Sequence, residues 1–393
     1  MFRVSGWLYA DRRFREGSVA VEDGLVADVT WQRARDPLAR GLVLPAFANA
    51  HTHAGDAVVR DELAGTLEDL VAPPYGLKHR VLAEASDEDV VAATRAYLED
   101  MFHTGTATFW DFREMGLRGL RQLYVATLGL PLRSRVFGRP KSLAYDRDEV
   151  RGLLRACDGI GISSLLDWNS DEAGKLARDA HAAGKAFALH ASERTRENID
   201  AVLALKPDLL VHLTDATDGD LARVAEARVP VAVCPRSNAF FGKVVDLPRM
   251  VRAGLSLYLG TDNAMVNAPS MLRELDFAWK VARLRGGVAP QLLLEMAMRG
   301  RKGLNEPGNL ALTPGEPAEL VVLDIPDGRP TFASVFRGVE TDISLVSAGG
   351  RTWVRKMGEL VEPGALRPAR RRLQSRRRSS PRVRRGRRRP SKT

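Results

Sequence analysis

The chain is poor in the features that would place it in several large functional classes. It has two cysteines in 393 residues, Cys157 and Cys234. Neither belongs to a C-x-x-C pair, so a disulfide-stapled scaffold and a cysteine-based zinc module are both excluded. No run of 18 or more apolar residues occurs, so no membrane-spanning helix is expected. The N-terminal stretch MFRVSGWLYADRRF has no basic segment leading into a long apolar one, and no secretory leader is expected. A cytoplasmic setting fits these absences. No G-x-G-x-x-G loop follows any strand-like run, which argues against a dinucleotide fold. Acidic residues are missing from 365 to 393, where thirteen Arg and one Lys fall. Subtracting that +14 from the chain's +10 leaves −4 for residues 1 to 364. The body is thus mildly acidic and the tail, 363–393, is expected to be disordered. Nucleic-acid contact through the tail is electrostatically reasonable, but no aromatic residue interleaves the arginines to stack on bases.

What remains is ordinary globular composition, 45% hydrophobic and 27% charged, with length enough for a large core. Assembly into a homo-oligomer is left open by it. The stretch LVLPAFANAHTHAGD, residues 42 to 56, reads as one buried strand. Side chains two apart share a face of a strand, so His51 and His53 project together. Two imidazoles on one side suit a transition metal. Taken alone, the pair fits a polar loop equally well.

Seven further strand-like runs follow: 106–112, 133–138, 159–166, 185–192, 208–214, 229–235 and 255–263. Helical periods lie between most of them. Eight β-α units in this length predict an α/β fold, a (β/α)8 TIM-type barrel. Short strands at 1–40, with a hairpin at Asp23-Gly24, and β-rich runs at 317–325 and 344–361 predict a small β-sandwich domain built from both termini. The expected division is 1–44 with 310–362 for that domain and 45–309 for the barrel.

Active sites of such barrels lie at the C-terminal ends of the strands. His190 ends the fifth strand, His212 the sixth and Asp262 the eighth. With His51 and His53 they make five metal-type or acid-base side chains from four strands, all expected at one mouth. His79 falls in a loop after the first strand as a lid candidate. His103 and His181 lie near helix ends and read as surface or capping residues. Glu193, three residues past His190, is placed to move protons. Candidates for substrate binding at the mouth are Arg113, Glu114, Arg139, Arg236, Asn238, Asn263 and Asn267, whose charges point to a polar, even anionic, heterocycle.

Several motifs together carry a family resemblance: LPAFANAHTH, HASE (190–193), VHLT around His212, VCPRSN (233–238), LGTDN (259–263) and LTPGEPAELVVLD (312–324). In their order and spacing the chain resembles the amidohydrolase superfamily, in particular its aminohydrolase branch of chlorohydrolases and purine or pyrimidine deaminases. The resemblance spans roughly residues 1 to 361. It implies one divalent metal, zinc before iron(II), held by His51, His53, His190 and Asp262. It also implies His212 beside the metal-bound water and Glu193 as the proton-shuttling acid. Independently of the family, a divalent metal brings the pKa of a bound water from about 15.7 to near 7. Asp262 can take that water's proton, and Glu193 can protonate a ring nitrogen and then the departing ammonia.

Departures narrow the expectation. The fourth strand has no lysine for a carboxylated bridge, which argues for one metal. The H-x-E with P-C-x-x-C signature of the other zinc deaminases is absent. The region after His53 lacks the tryptophan-leucine pattern of nucleoside-related deaminases. The expected activity is hydrolysis of a non-peptide C–N bond in a small molecule, foremost deamination of a purine, pyrimidine or pterin. Amide hydrolysis or dehalogenation on the same scaffold ranks second. A catalytically inactive metal-binding protein with a nucleic-acid-binding tail is the reading from another class.

Overall fold

A computed structural model describes residues 1–304, 310–325, 328–356 and 358–362. The expected disordered tail lies outside the described residues.

Strands β1 (Phe2–Ala10), β2 (Arg13–Glu22) and β3 (Leu25–Thr30) form two hairpins. Both turns need left-handed backbone. Asp11 and Arg12 supply it in the first, and Asp23 and Gly24, at φ 49° and 77°, in the second. That is the two-residue geometry whose twist matches the flanking strands. Strand β4 (Ala39–Pro45) joins β1 in parallel.

The stretch expected as one strand is two. Chain passes from β4 to β5 (Phe47–His53) through a single residue, Ala46. The Ala46 amide donates to Glu319 O at 3.0 Å, still within the terminal sheet. The Phe47 amide donates to Gly105 O at 2.9 Å, already at the base of the other sheet. Apart from Pro45, which ends the first strand, the run does not show this, because both halves are buried.

The second sheet runs through β5, β6 (Thr106–Arg113), β7 (Arg133–Gly138), β8 (Gly159–Ile162), β9 (Ala186–Ala191), β10 (Leu209–His212), β11 (Val231–Val233) and β12 (Leu257–Leu259), all in parallel and in chain order. A last two-residue strand, β13 (Asp262–Asn263), returns to β5, with Asp262 opposite Thr52 and Asn263 opposite His53. The sheet curls back on its first strand as a TIM-type barrel does. Several expected runs shorten: 159–166 ends as a strand at Ile162 and 255–263 breaks at Gly260-Thr261, where the chain bends to reach β5.

Helices cover the outside. Ser86 caps the helix Asp87–His103 through the Asp89 amide at 3.1 Å. Asn169 and Thr217 cap Ser170–Ala182 and Asp218–Glu226 in the same way. Inside the barrel Trp110, Phe112, Phe137, Leu209, Val211, Ala232 and Tyr258 pack together as a floor beneath the mouth.

The chain then returns to the terminal sheet as β14 (Leu320–Leu323), β15 (Ile343–Ala348), β16 (Arg351–Lys356) and β17 (Glu359–Val361). β14 lies antiparallel to β4, so both termini build one eight-stranded sheet.

Gly260 shows how tightly the closure is set. A Cβ there would stand 2.7 Å from the Cβ and backbone nitrogen of His51. We expect Gly260→Ala to destabilise the protein by about 1–3 kcal/mol through overpacking. Urea unfolding would measure this, and an unchanged midpoint would contradict the closure described.

Candidate active site

Strand alternation decides which side chains reach the mouth. On β5, His51 and His53 point inward, while Thr52 points outward and donates to Asp111 Oδ1 at 2.9 Å. On β6, Phe112 points inward and sets its ring edge-on to His51, centroids 4.5 Å apart. His190 ends β9, His212 ends β10 and Asp262 opens β13. All five are buried.

Their donor atoms converge. His190 Nε2 lies 3.2 Å from His51 Nε2 and 3.3 Å from His53 Nε2. Asp262 Oδ1 lies 3.2 Å from His51 Nε2 and 3.5 Å from His53 Nε2. Four ligand atoms held about 2.0–2.1 Å from a tetrahedral centre would stand about 3.3 Å from one another. The four observed edges are close to that figure, and the three histidines His51, His53 and His190 form one metal-type cluster, so the donor set fits a divalent metal of the zinc kind. His212 with His51 and Asp262 forms an overlapping cluster of the same reach.

Outer contacts fix these groups. His190 Nδ1 faces the carbonyl of Ile162 at 2.9 Å, and His53 Nδ1 faces that of Phe112 at 3.0 Å. Such contacts set the tautomer and turn Nε2 toward the mouth. Ser237 donates to Asp262 Oδ2 at 2.6 Å, and Asn238 Nδ2 lies 3.2 Å from His212 Nδ1. His212 and Asp262 both adopt left-handed backbone, at φ 74° and 62°. Such conformations cost of order 1–3 kcal/mol each and gather at functional sites.

Glu193 Oε2 stands 3.3 Å from His212 Nε2. Burial, reinforced by the nearby Asp262 charge, pushes its pKa well above the ordinary carboxyl range. Asp262 moves the other way: burial alone would raise it, but the hydrogen bond and contacts from His51 and the neighbouring histidines hold it well below. Two carboxyl groups in one site are thus shifted in opposite directions, the pattern expected of an acid and a base.

Of the seven substrate-binding candidates, Arg139 and Asn263 line a small cleft over the histidines, together with Glu193, Ser163, Ser164 and Asp167. Glu114 is buried beside them, its Oε1 2.8 Å from His53 Nδ1. Asn238 serves His212. The expectation that all seven face the mouth is corrected for three. Arg113 falls on the outward face of β6 and donates through Nε to Gly119 O at 2.9 Å. Arg236 turns to Glu274 Oε2 at 2.6 Å. Asn267 donates to Thr261 O at 3.0 Å, bracing the bend before β13. His79 hydrogen-bonds Val71 O at 3.1 Å and is absent from the cleft wall, as is the Asp208-paired His181.

Lys78 was not expected. It comes from the segment after β5 that roofs the cleft with Leu67, Val71, Ala72 and Pro73. Its ammonium donates to Asp56, Glu114 and Asn263 at 3.2, 2.8 and 3.3 Å. In sequence it is one lysine in a helix-like run, GLKHRVLAE, with no local mark of burial.

Burial drives the His51 pKa down to about 4 and that of His212 to about 3, against about 6.5 in an unfolded chain. Between these values the unfolded chain binds more protons, so stability rises with pH. The contribution is complete above about pH 6.5 and is lost as pH falls toward 4 and 3. We therefore expect the melting temperature of metal-stripped protein to drop between pH 7 and 4, and His212→Asn to flatten part of that slope. A level profile would contradict neutral buried rings.

Residues 42–352 match the Amidohydrolase family. A relative from Methanothermobacter thermautotrophicus, named provisionally as an aminohydrolase, is 33% identical over 360 residues, covering 85% of this chain and 93% of its own. A 5-methylthioadenosine/S-adenosylhomocysteine deaminase of Nitratidesulfovibrio vulgaris is 26% identical over 364 residues, 81% of each chain. Among solved structures, an adenosine deaminase from Xanthomonas campestris with bound zinc superposes with TM-score 0.75 at 18% identity, over 95% of this chain and 98% of the other. An atrazine chlorohydrolase from Arthrobacter aurescens complexed with zinc superposes at 0.73 and 16% identity, over 92% and 96%. The two superpositions speak for the fold, and the family match over most of the barrel speaks for descent: the chain belongs to the amidohydrolase family and is a hydrolase of that family.

Proposed function

We propose that this hydrolase deaminates an aminated heterocycle of the purine, pyrimidine or pterin type, with the barrel at 45–309 carrying the chemistry and the terminal segments 1–44 and 310–362 forming an accessory domain. The observation that carries the reading is the convergence of His51, His53, His190 and Asp262 within 3.2–3.5 Å contacts, with Glu193 Oε2 3.3 Å from His212 Nε2 beside them. Those four residues would hold one divalent ion, zinc first, in keeping with the zinc-containing structural neighbours. When bound, such an ion supplies an activated water at neutral pH.

The chain's own groups do the rest. Asp262, anionic and fixed at Oδ2 by Ser237, accepts the proton that the attacking water loses. Glu193, kept protonated by burial, donates to the ring nitrogen next to the attacked carbon. His212 stands between them, its Nδ1 held by Asn238, and orients the incoming oxygen. As the C–N bond breaks, the proton gathered by Asp262 leaves with the amine as ammonia, and the hydroxyl proton returns to Glu193 as the ring carbon becomes a carbonyl. A halide leaves without needing a proton, so the protonated Glu193 favours ammonia over dehalogenation.

Metal analysis of the purified protein is expected to find about one ion per chain, and His51→Ala to lose it. Wild type free of metal would overturn the reading. An ammonia-release screen over aminated heterocycles should find a substrate. On it Glu193→Gln should lower kcat by about 10²–10⁴ with metal retained; a Gln variant of full activity would remove Glu193 from the mechanism.

A further inference from the structure

Three cations line the cleft: Lys78, Arg139 and Arg194. Two of them are committed. Lys78 spends its three donors on Asp56, Glu114 and Asn263. Arg194 places Nη2 2.6 Å from Asp167 Oδ1.

Arg139 is not. It is 5% exposed, and its Nε is buried with no hydrogen-bond partner among the described residues. Its recorded ion-pair contact is Glu114 Oε1, 3.6 Å from Nη1. That is too long for a hydrogen bond, and the same oxygen already serves Lys78 and His53. The backbone is held at the end of β7 by its amide donating to Arg113 O at 2.9 Å. A buried guanidinium nitrogen without a partner carries a desolvation cost that a ligand acceptor can relieve.

The neighbouring wall has the same polarity. Ser163 Oγ accepts from Trp168 Nε1 at 3.2 Å, and Ser164 Oγ accepts from the Leu166 amide at 3.1 Å. The Ser164 hydroxyl is turned to the Glu197 carboxylate, whereas that of Ser163 keeps its own proton to give. Arg139 and Ser163 therefore offer donors on one side of the cleft, while Glu193 works on the reacting side. A group with two acceptor oxygens in one plane answers the guanidinium fork.

We propose that Arg139 selects a heterocycle bearing a carboxylate, which its guanidinium and the Ser163 hydroxyl receive. The inference rests on the deaminase reading above. In the zinc-loaded full chain, pterin-6-carboxylate is compared with pterin, and 5-carboxycytosine with cytosine, by ammonia release. We expect kcat/KM at least about 10-fold higher for the carboxylated member of a pair. Arg139→Met should collapse that preference, mainly through KM, and Arg139→Lys should restore only part of it, because charge returns without the fork. Preference for the neutral member, or a preference untouched by Arg139→Met in protein of native circular dichroism, would overturn the proposal. Calorimetric titration with pyrimidine-5-carboxylate, which has no amino group to lose, separates the two claims. Binding that needs Arg139 without ammonia release from any compound sinks the deaminase reading alone. Binding indifferent to Arg139→Met and Arg139→Lys sinks the selection proposal alone.

Discussion

The pairing of a two-residue strand, Asp262–Asn263, with the end of β5 is the constraint on which the site depends. It closes the curled sheet, and it delivers the carboxylate of Asp262 to the nitrogens of His51 and His53 in one step. Gly260 makes the approach feasible, since any side chain there would strike His51. Asn49 ties the two strands further, donating to Thr261 Oγ1 at 2.7 Å and accepting from the Thr261 amide at 3.0 Å. Backbone closure and ligand geometry are therefore a single event.

Around that closure the chain buries more charge than a barrel interior ordinarily accepts. The compensation is local. Lys78 donates to one oxygen each of Asp56 and Glu114, while Asp56 Oδ1 and Glu114 Oε2 stay buried without a hydrogen-bond partner among the described residues; an opposite charge within reach is what makes such burial tolerable. Because Lys78 belongs to the roofing segment, the same contacts that settle the charges also hold the roof over the histidines. Placement of the cleft wall and placement of Glu114 against His53 are thus coupled by one ammonium group.

The family's chemistry and this chain's selectivity sit on different parts of the fold. The metal-type residues come from strand ends, where backbone pairing fixes them. The cleft wall comes from the segments after β5, β7 and β8, through Leu67, Lys78, Arg139, Ser163 and Ser164. Loops on a rigid barrel can change without disturbing the ligands, so reaction type and substrate choice are separable properties of this protein.

The sequence by itself determined the periodic strands and helices, the strand-end location of His190, His212 and Asp262, and the His51–His53 pair. Those are local facts: alternation, apolar runs and motif spacing reach only a few residues. Even there, the run 42–56 concealed a change of sheet at Ala46, because burial looks the same on either side of it. Tertiary structure decided what depends on distant partners. Arg113 and Arg139 follow neighbouring strands and looked alike, yet the parity of β6 turns the first outward onto Gly119 while the second lines the cleft. Lys78 has no local signature, because its burial is created by Asp56, Glu114 and Asn263, brought together only when the sheet closes. The opposite pKa shifts of Glu193 and Asp262 are decided in the same way: two carboxyl groups of ordinary chemistry are separated by how each is buried and by which histidines and charges the fold sets beside it.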